Sequence, residues 1–175
     1  MSIDFLSVLT DSSRWTAESA LIAVGDDPDN FRELLEFCFT SQYPFSMRAA
    51  RVIQLHCALR PESFAPCLEE YLPRIMASET EGVKRNFLKI LAHFVDISLI
   101  KEPGLLIGFC FDQITDRNTN PAIKIYSIDI VERFAKKETD LLFELHACLE
   151  FILPESPPSL KSKANKILRT NKRIS

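Results

Sequence analysis

Histidine and cysteine side chains are the first candidates for chemistry in this chain, because both can hold a transition metal. The chain contains three histidines and five cysteines. His146 and Cys148 stand two residues apart, which places them about 200° apart around a helix axis and prevents them from sharing one ion. The cysteines also stand at unequal distances from the helices that follow them. We therefore predict no metal or cofactor site, and expect buried, reduced thiols at Cys38, Cys57, Cys67, Cys110 and Cys148.

Motifs for covalent catalysis and phosphate binding are absent from the sequence. It has no GxSxG nucleophile elbow, no HExxH zinc motif and no glycine-rich phosphate loop, and it contains only four glycines. The acidic pairs Asp26–Asp27 and Glu69–Glu70 are adjacent in sequence, so their carboxylates point apart rather than forming a catalytic dyad. We predict no catalytic residues and a non-enzymatic protein.

Composition and charge limit the classes of partner. Apolar residues make up 46% of the 175 positions, charged residues make up 26%, and the net charge is −3. No run of 18 apolar residues is present, so no membrane partner is expected. The first residues, MSIDFLSVLT, lack a basic region and include Asp4, which argues against a secretory signal. These observations predict a cytoplasmic protein, and its oligomeric state is left open.

A repeated helical pattern organises the chain. Apolar positions spaced i, i+3, i+4 and i+7 lie on one face of a helix. This template recurs at intervals of 32 to 40 residues, with first members at Ala17, Ala49, Phe87, Ser127 and Ala164. A second set of apolar helices is predicted between these stretches, at residues 29 to 40, 62 to 77, 103 to 115 and 139 to 153.

The period predicts an all-α fold, an α-α superhelix of about five two-helix units and about ten helices. We expect one domain over residues 1–175. A cap helix is expected within residues 1–10, with Trp15 near it, and a capping helix over residues 159–172. The template also places His56 where other repeats carry Phe94 and Phe134. His56 and its neighbour Cys57 are therefore predicted to be enclosed.

The starts of the template helices carry a family resemblance. Val83-Lys84, Ile123-Lys124 and Leu160-Lys161 each place a basic residue after an apolar one, while Phe45-Ser46 departs from this pattern. The chain resembles the HEAT-like and armadillo-like repeat superfamily over most of its length. The resemblance implies that the second helix of each unit lines the concave side of a solenoid. It implies little about function, since such solenoids serve many unrelated partners.

Charge is divided between the two helix sets. Residues 46 to 59, 82 to 97, 122 to 136 and 159 to 170 together hold 12 basic and 3 acidic residues. The alternate segments, residues 29 to 40, 62 to 77, 103 to 115 and 139 to 153, together hold 2 basic and 10 acidic residues. With the resemblance, this division implies a basic concave wall.

Positions two residues before and after each template start point away from the core stripe. Seven side chains at these positions, basic or apolar except for one aspartate, are the predicted partner-binding residues: Met47, Arg51, Arg85, Lys89, Ile125, Asp129 and Lys166. The leading hypothesis is a scaffold or adaptor that binds an acidic protein or peptide segment. The alternative is that these positions form no binding surface, because neighbouring helices cover Met47 and Ile125 and the charged side chains are only solvated.

The alternative function is nucleic-acid binding. Asp129 lies near Tyr126 and Ile125, and a wall aspartate beside aromatic residues is similar to the site of the bacterial alkylpurine DNA glycosylases. Trp15 is too far along the chain to complete that aromatic setting, so a salt bridge from Asp129 to a nearby lysine is the favoured interpretation. Nucleic acid is the less favoured partner, because the chain is acidic overall and the wall has few aromatic residues.

Overall fold

The computed structural model describes residues 3–171, and these residues form ten α-helices and no strand. The predicted all-α class is confirmed. Three short 3₁₀ segments, Pro61–Cys67, Ile97–Leu99 and Leu153–Glu155, join some of the helices. The helices are α1 (Phe5–Val8), α2 (Arg14–Val24), α3 (Pro28–Thr40), α4 (Phe45–Leu59), α5 (Leu68–Ala77), α6 (Glu81–His93), α7 (Pro103–Thr115), α8 (Pro121–Ala135), α9 (Thr139–Ile152) and α10 (Pro158–Asn171).

Local sequence sets where these helices begin and end. Ser13, Asp27 and Asn120 precede α2, α3 and α8, and each accepts a hydrogen bond from a backbone N–H of the first turn. Proline occupies the first position of α3, α7, α8 and α10, where its missing N–H costs no helical hydrogen bond. Gly25 ends α2 with φ at 60°, a conformation that favours glycine.

The chain divides into two compact units, Met1–Leu99 and Ile100–Ser175. In the first unit α2 packs on α4, α4 packs on α6, and α3 packs on α4. In the second unit α8 packs on α7, α9 and α10. Template helices are therefore direct neighbours inside each unit, as the repeat pattern predicts. A single domain over residues 1–175 stays a prediction.

Template side chains form the core. All of those at the five template stretches are buried except Leu21, Phe94 and Leu168, which are half-buried. In the first unit Phe87 packs against the rings of Phe39 and Phe64, with centroid distances of 5.1 Å and 5.9 Å. The apolar periodicity of the sequence thus identifies the residues that hold the layers together.

Element boundaries differ from the predicted ones in three places. Residues 82–97 were expected to form one helix, but α6 ends at His93, and Asp96 accepts a hydrogen bond from the Ser98 N–H at 2.9 Å. The segment predicted from residue 62 starts as a 3₁₀ helix, Pro61–Cys67, and only continues as the α-helix α5 from Leu68. The N-terminal cap shortens to Phe5–Val8. Residues 1, 2 and 172, which belong to the predicted caps, lie outside the described part of the chain.

The predicted enclosure of the thiols and of His56 is confirmed. Four cysteines are buried and Cys148 is half-buried. Burial raises the pKa of Cys57 and of Cys110 to about 12. The His56 ring is 2% exposed, lies 4.7 Å from the ring of Phe31 and has a pKa below its ordinary value because burial disfavours the charged form.

Candidate interaction surface

Two adjacent helices of the first unit carry most of the predicted partner-binding residues. Helices α4 and α6 together hold five Lys or Arg side chains and one acidic side chain, Glu81. Four of the predicted residues lie here, and we call them the basic face: Met47, Arg51, Arg85 and Lys89. Because α4 packs directly on α6, the sequence prediction that these residues occupy neighbouring helices is met within this unit.

Met47 is fixed by a close approach between α4 and α6. A methyl group at Gly82 would stand 2.1 Å from the Cγ atom of Met47 and 2.9 Å from its Cβ atom. Glycine is therefore required for α6 to begin against this side chain. Met47 is half-buried, so part of the thioether side chain packs between helices and part stays at the surface.

Arginines of α4 hold the loop between α1 and α2. The Nη1 atom of Arg48 donates to the carbonyl oxygens of Leu9 and Thr10, at 2.9 Å and 2.8 Å. The Nη1 atom of Arg51 donates to the carbonyl oxygen of Ser12 at 3.0 Å. A guanidinium has five N–H donors, so Arg51 retains donors for a partner while this hydrogen bond fixes its position.

The two cations of α6 differ in their surroundings. Lys89 is half-buried, and its Nζ atom donates to Oε1 of the buried Gln54 on α4 at 3.4 Å. Arg85 is exposed and makes no hydrogen bond or ion pair to any residue that the structure describes. The basic face therefore combines two anchored cations, Arg51 and Lys89, with one that extends into solvent.

Trp15 is a candidate that the predicted site did not include. It lies on α2, which packs on α4, and it is 76% exposed. Ile22, two helical turns further along the same side of α2, is 81% exposed. Trp15 occupies the same repeat position as Met47 and Arg85, so the repeat pattern could have predicted that its side chain points away from the core. Trp15 was left out of the predicted site because a cap helix was expected to lie near it.

Of the remaining predicted residues, in the second unit, Asp129 is paired within the protein. Nζ of Lys163 on α10 lies 2.6 Å from Asp129 Oδ1 and 2.5 Å from Glu132 Oε2, both on α8. Burial lowers the pKa of Lys163, but the hydrogen bonds that Lys163 donates to these two carboxylates, together with their negative charge, outweigh burial and raise the pKa. The favoured interpretation of Asp129 as a salt-bridge residue is confirmed. Ile125 is half-buried and Lys166 is exposed.

In the first unit, the Glu36 carboxylate on the alternate helix α3 is held by hydrogen bonds from α5. Arg74 on α5 donates two hydrogen bonds to the Glu36 carboxylate of α3, at 2.6 Å and 3.0 Å, and Tyr71 donates a third at 3.0 Å. The guanidinium also lies over the ring of Phe39, 4.8 Å from its centroid. These contacts join α3 to α5 and neutralise the Glu36 charge. These contacts lower the pKa of the Glu36 carboxyl, and the hydrogen bonds from Arg74 are the largest cause.

The part of the chain that the structure describes contains neither a metal-binding cluster nor a membrane-spanning helix. No group of three His, Cys, Asp or Glu side chains in residues 3–171 is placed to hold a metal ion. No helix among those residues combines the length and apolar character needed to cross a bilayer.

Paired helices whose second members pack on one another within each unit define an α-helical repeat protein. A sequence model of the HEAT repeat domain matches residues 10–171, and the chain belongs to this family. Comparisons with curated proteins and with solved structures find no match. HEAT repeats generally serve as scaffolds for protein interaction, and their stacked helices provide extended binding surfaces.

Proposed function

We propose that the protein is a non-enzymatic interaction module whose basic face binds an acidic segment of a partner protein, with Trp15 and Met47 as apolar contacts. The observation that carries this proposal is the basic character of α4 and α6 beside an aromatic side chain that is 76% exposed. Tryptophan, methionine and arginine are enriched in protein interfaces, whereas isolated solvated charges need no exposed tryptophan.

The spacing of the cations suits an extended acidic segment. Neighbouring packed helices stand about 10 Å apart, which is close to the screening length of about 8 Å at physiological salt. A segment that crosses α4 and α6 would meet Arg51 and then Arg85 or Lys89 in turn. Binding of this kind weakens as salt is added, because the charged side chains stay partly solvated.

The other predicted residues enter the proposal with separate roles. Ile125 and Lys166 are proposed partner contacts on the second unit. Asp129 is proposed to act by fixing Lys163 rather than by touching a partner, since its carboxylate pairs with that lysine. The same pairing gives no support to a glycosylase-like use of Asp129. A cytoplasmic location is also proposed, and five unpaired cysteines are consistent with a reducing compartment.

The test uses a fluorescent peptide of alternating Glu and Leu residues, with an uncharged Gln and Leu peptide of the same pattern as its control. We expect the wild-type chain to bind the acidic peptide through this face, and expect R85E/K89E to weaken that binding at least tenfold. The matched control is K136E/K137E, which makes the same charge change at two exposed lysines between α8 and α9.

Two results would overturn the proposal. One is equal binding of the acidic peptide by both double variants. The other is stronger binding of mixed-sequence DNA, with a steep loss of affinity on adding salt, because this dependence marks phosphate neutralisation and favours the nucleic-acid alternative.

A further inference from the structure

Helix α9 of the second unit has an apolar stripe that faces solvent. Phe143 and Phe151 are 69% and 67% exposed, and the exposed Ala147 stands midway between them. The spacing i, i+4 and i+8 places the three on one side of the helix. The opposite side is the packed one, because Leu145 and Leu149 of α9 are fully buried and α9 contacts α7, α8 and α10.

Acidic side chains border this stripe. Asp140, Glu144 and Glu150 are exposed, and α9 contains no Lys or Arg. None of the three carboxylates forms an ion pair with a residue that the structure describes. This differs from Glu36 in the first unit, whose charge is neutralised by Arg74. The α9 stripe therefore joins two unpacked aromatic rings to unneutralised negative charge.

The adjoining helix extends the same character. Helix α7 contacts α9 and has no Lys or Arg. Its exposed side carries Leu105, which is 60% exposed, together with Gly108 and Asp112 at i+3 and i+7. An exposed leucine, a position without a side chain and a carboxylate thus lie along one side of α7. We call the exposed sides of α7 and α9 the acidic apolar face.

We propose that the acidic apolar face is a second docking surface, and that its occupant is a cationic amphipathic helix of a partner protein. Phe143 and Phe151 stand about 12 Å apart along the helix axis, at about 1.5 Å per residue. The small Ala147 between them leaves a shallow recess for one aliphatic side chain. Lysines or arginines flanking that side chain would meet the carboxylates of Glu144 and Glu150.

Charge separates this occupant from the others that an apolar stripe could bind. Anionic lipid headgroups and nucleic-acid phosphates would be repelled by the four carboxylates of α7 and α9. An acidic peptide of the kind proposed for the basic face would be repelled as well. The two surfaces therefore select partners of opposite charge, and this inference stands or fails independently of the basic face.

The test is fluorescence anisotropy with a labelled amphipathic helical peptide of Lys and Leu, and with a Glu and Leu peptide of the same pattern. We expect the wild-type chain to bind the cationic peptide, and expect F143S/F151S and E144K/E150K each to weaken it at least tenfold. L59S is the matched control, since Leu59 is an exposed apolar residue of α4, 66% exposed, outside this face. Unchanged melting temperatures show that the variants remain folded.

Four results would overturn the proposal. The first is wild-type affinity for the cationic peptide in F143S/F151S, and the second is wild-type affinity for the same peptide in E144K/E150K. The third is concentration-dependent self-association that F143S/F151S abolishes, which would make the face an interface between copies of this chain. The fourth is phenylalanine-dependent sedimentation with phosphatidylserine vesicles, which would make the occupant a membrane.

Discussion

The Nε2 atom of His56 lies 3.1 Å from the carbonyl oxygen of Gly25, so a buried side chain of α4 joins the residue that ends α2. A carbonyl can only accept, so Nε2 carries the proton in this contact. The neutral ring satisfies the carbonyl and packs on Phe31. A second proton would place a charge among buried groups, which connects this contact to pH.

The first prediction concerns acid stability. Burial lowers the pKa of His56 in the folded state, so the unfolded chain binds this proton more readily. The contribution of His56 to the free energy of unfolding is therefore constant at pH values well above about 6.5, the unfolded value, and is lost as pH falls below that value toward the lower folded pKa. Urea denaturation of H56Q should show a smaller loss of stability between neutral and mildly acidic pH than the wild type. An H56Q profile that runs parallel to that of the wild type would contradict the prediction.

The second prediction concerns the approach of α4 to α6. Gly82→Ala should destabilise the fold by about 1 to 3 kcal/mol, because the new methyl group overlaps the Cγ atom of Met47. Thermal melting of G82A and of M47A/G82A measures this, and the double variant should recover part of the loss. Gly108→Ala is the control, since nothing lies within 4 Å of its new methyl group. The Gly108→Ala change should be neutral or should stabilise the fold by up to about 1 kcal/mol. Equal melting temperatures of G82A and G108A would contradict the predicted overlap with Met47.

The third prediction concerns the ion pairs between α8 and α10. Lys163→Ala should cost about 1 to 3 kcal/mol, because Asp129 and Glu132 would then repel each other across one helical turn without a cation. Chemical denaturation at low and high salt measures the loss, which should shrink as salt screens the repulsion. Lys161→Ala, on the same helix, should stay within about 0.5 kcal/mol. A similar cost for both lysines would assign the effect to α10 packing.

The fourth prediction concerns thiol reactivity. Burial raises the pKa of every cysteine in the chain, so little thiolate forms at neutral pH. Colorimetric titration of the native protein should label Cys148 first, since it alone among the five is half-buried. C148S should remove that early phase, and denaturant should release the remaining four thiols. Early labelling of Cys57 or Cys110 would contradict the structure.

Helices and core residues could be predicted from the sequence because the signal is local. Spacing of apolar residues along one helix decides which side packs, and Ala49, Phe87 and Ile130 are buried accordingly. The end of α6 was missed because the Asp96 carboxylate accepts a hydrogen bond from the backbone N–H of Ser98, a local interaction that competes with the helix and that apolar spacing does not register.

Contacts between helices could not be predicted in the same way. Met47 and Gly82 stand 35 positions apart, and their overlap depends on the rotation and distance of α4 and α6. The bond from Arg51 to Ser12 depends on the path of a loop. Sequence position therefore assigned these residues to a surface, while three-dimensional packing decided which of them are held in place.

The loop before α2 is held by arginines that reach mostly main-chain oxygens. Arg48 and Arg51 bond to the carbonyls of Leu9, Thr10 and Ser12, and any residue at those positions would present the same acceptors. Apart from one hydrogen bond from Arg48 Nε to the Ser12 hydroxyl at 3.3 Å, this attachment depends on the course of the loop and not on its side chains. Thr10 is exposed, so it is a position where a cysteine for a fluorophore or a cross-linker can be introduced while the loop stays docked.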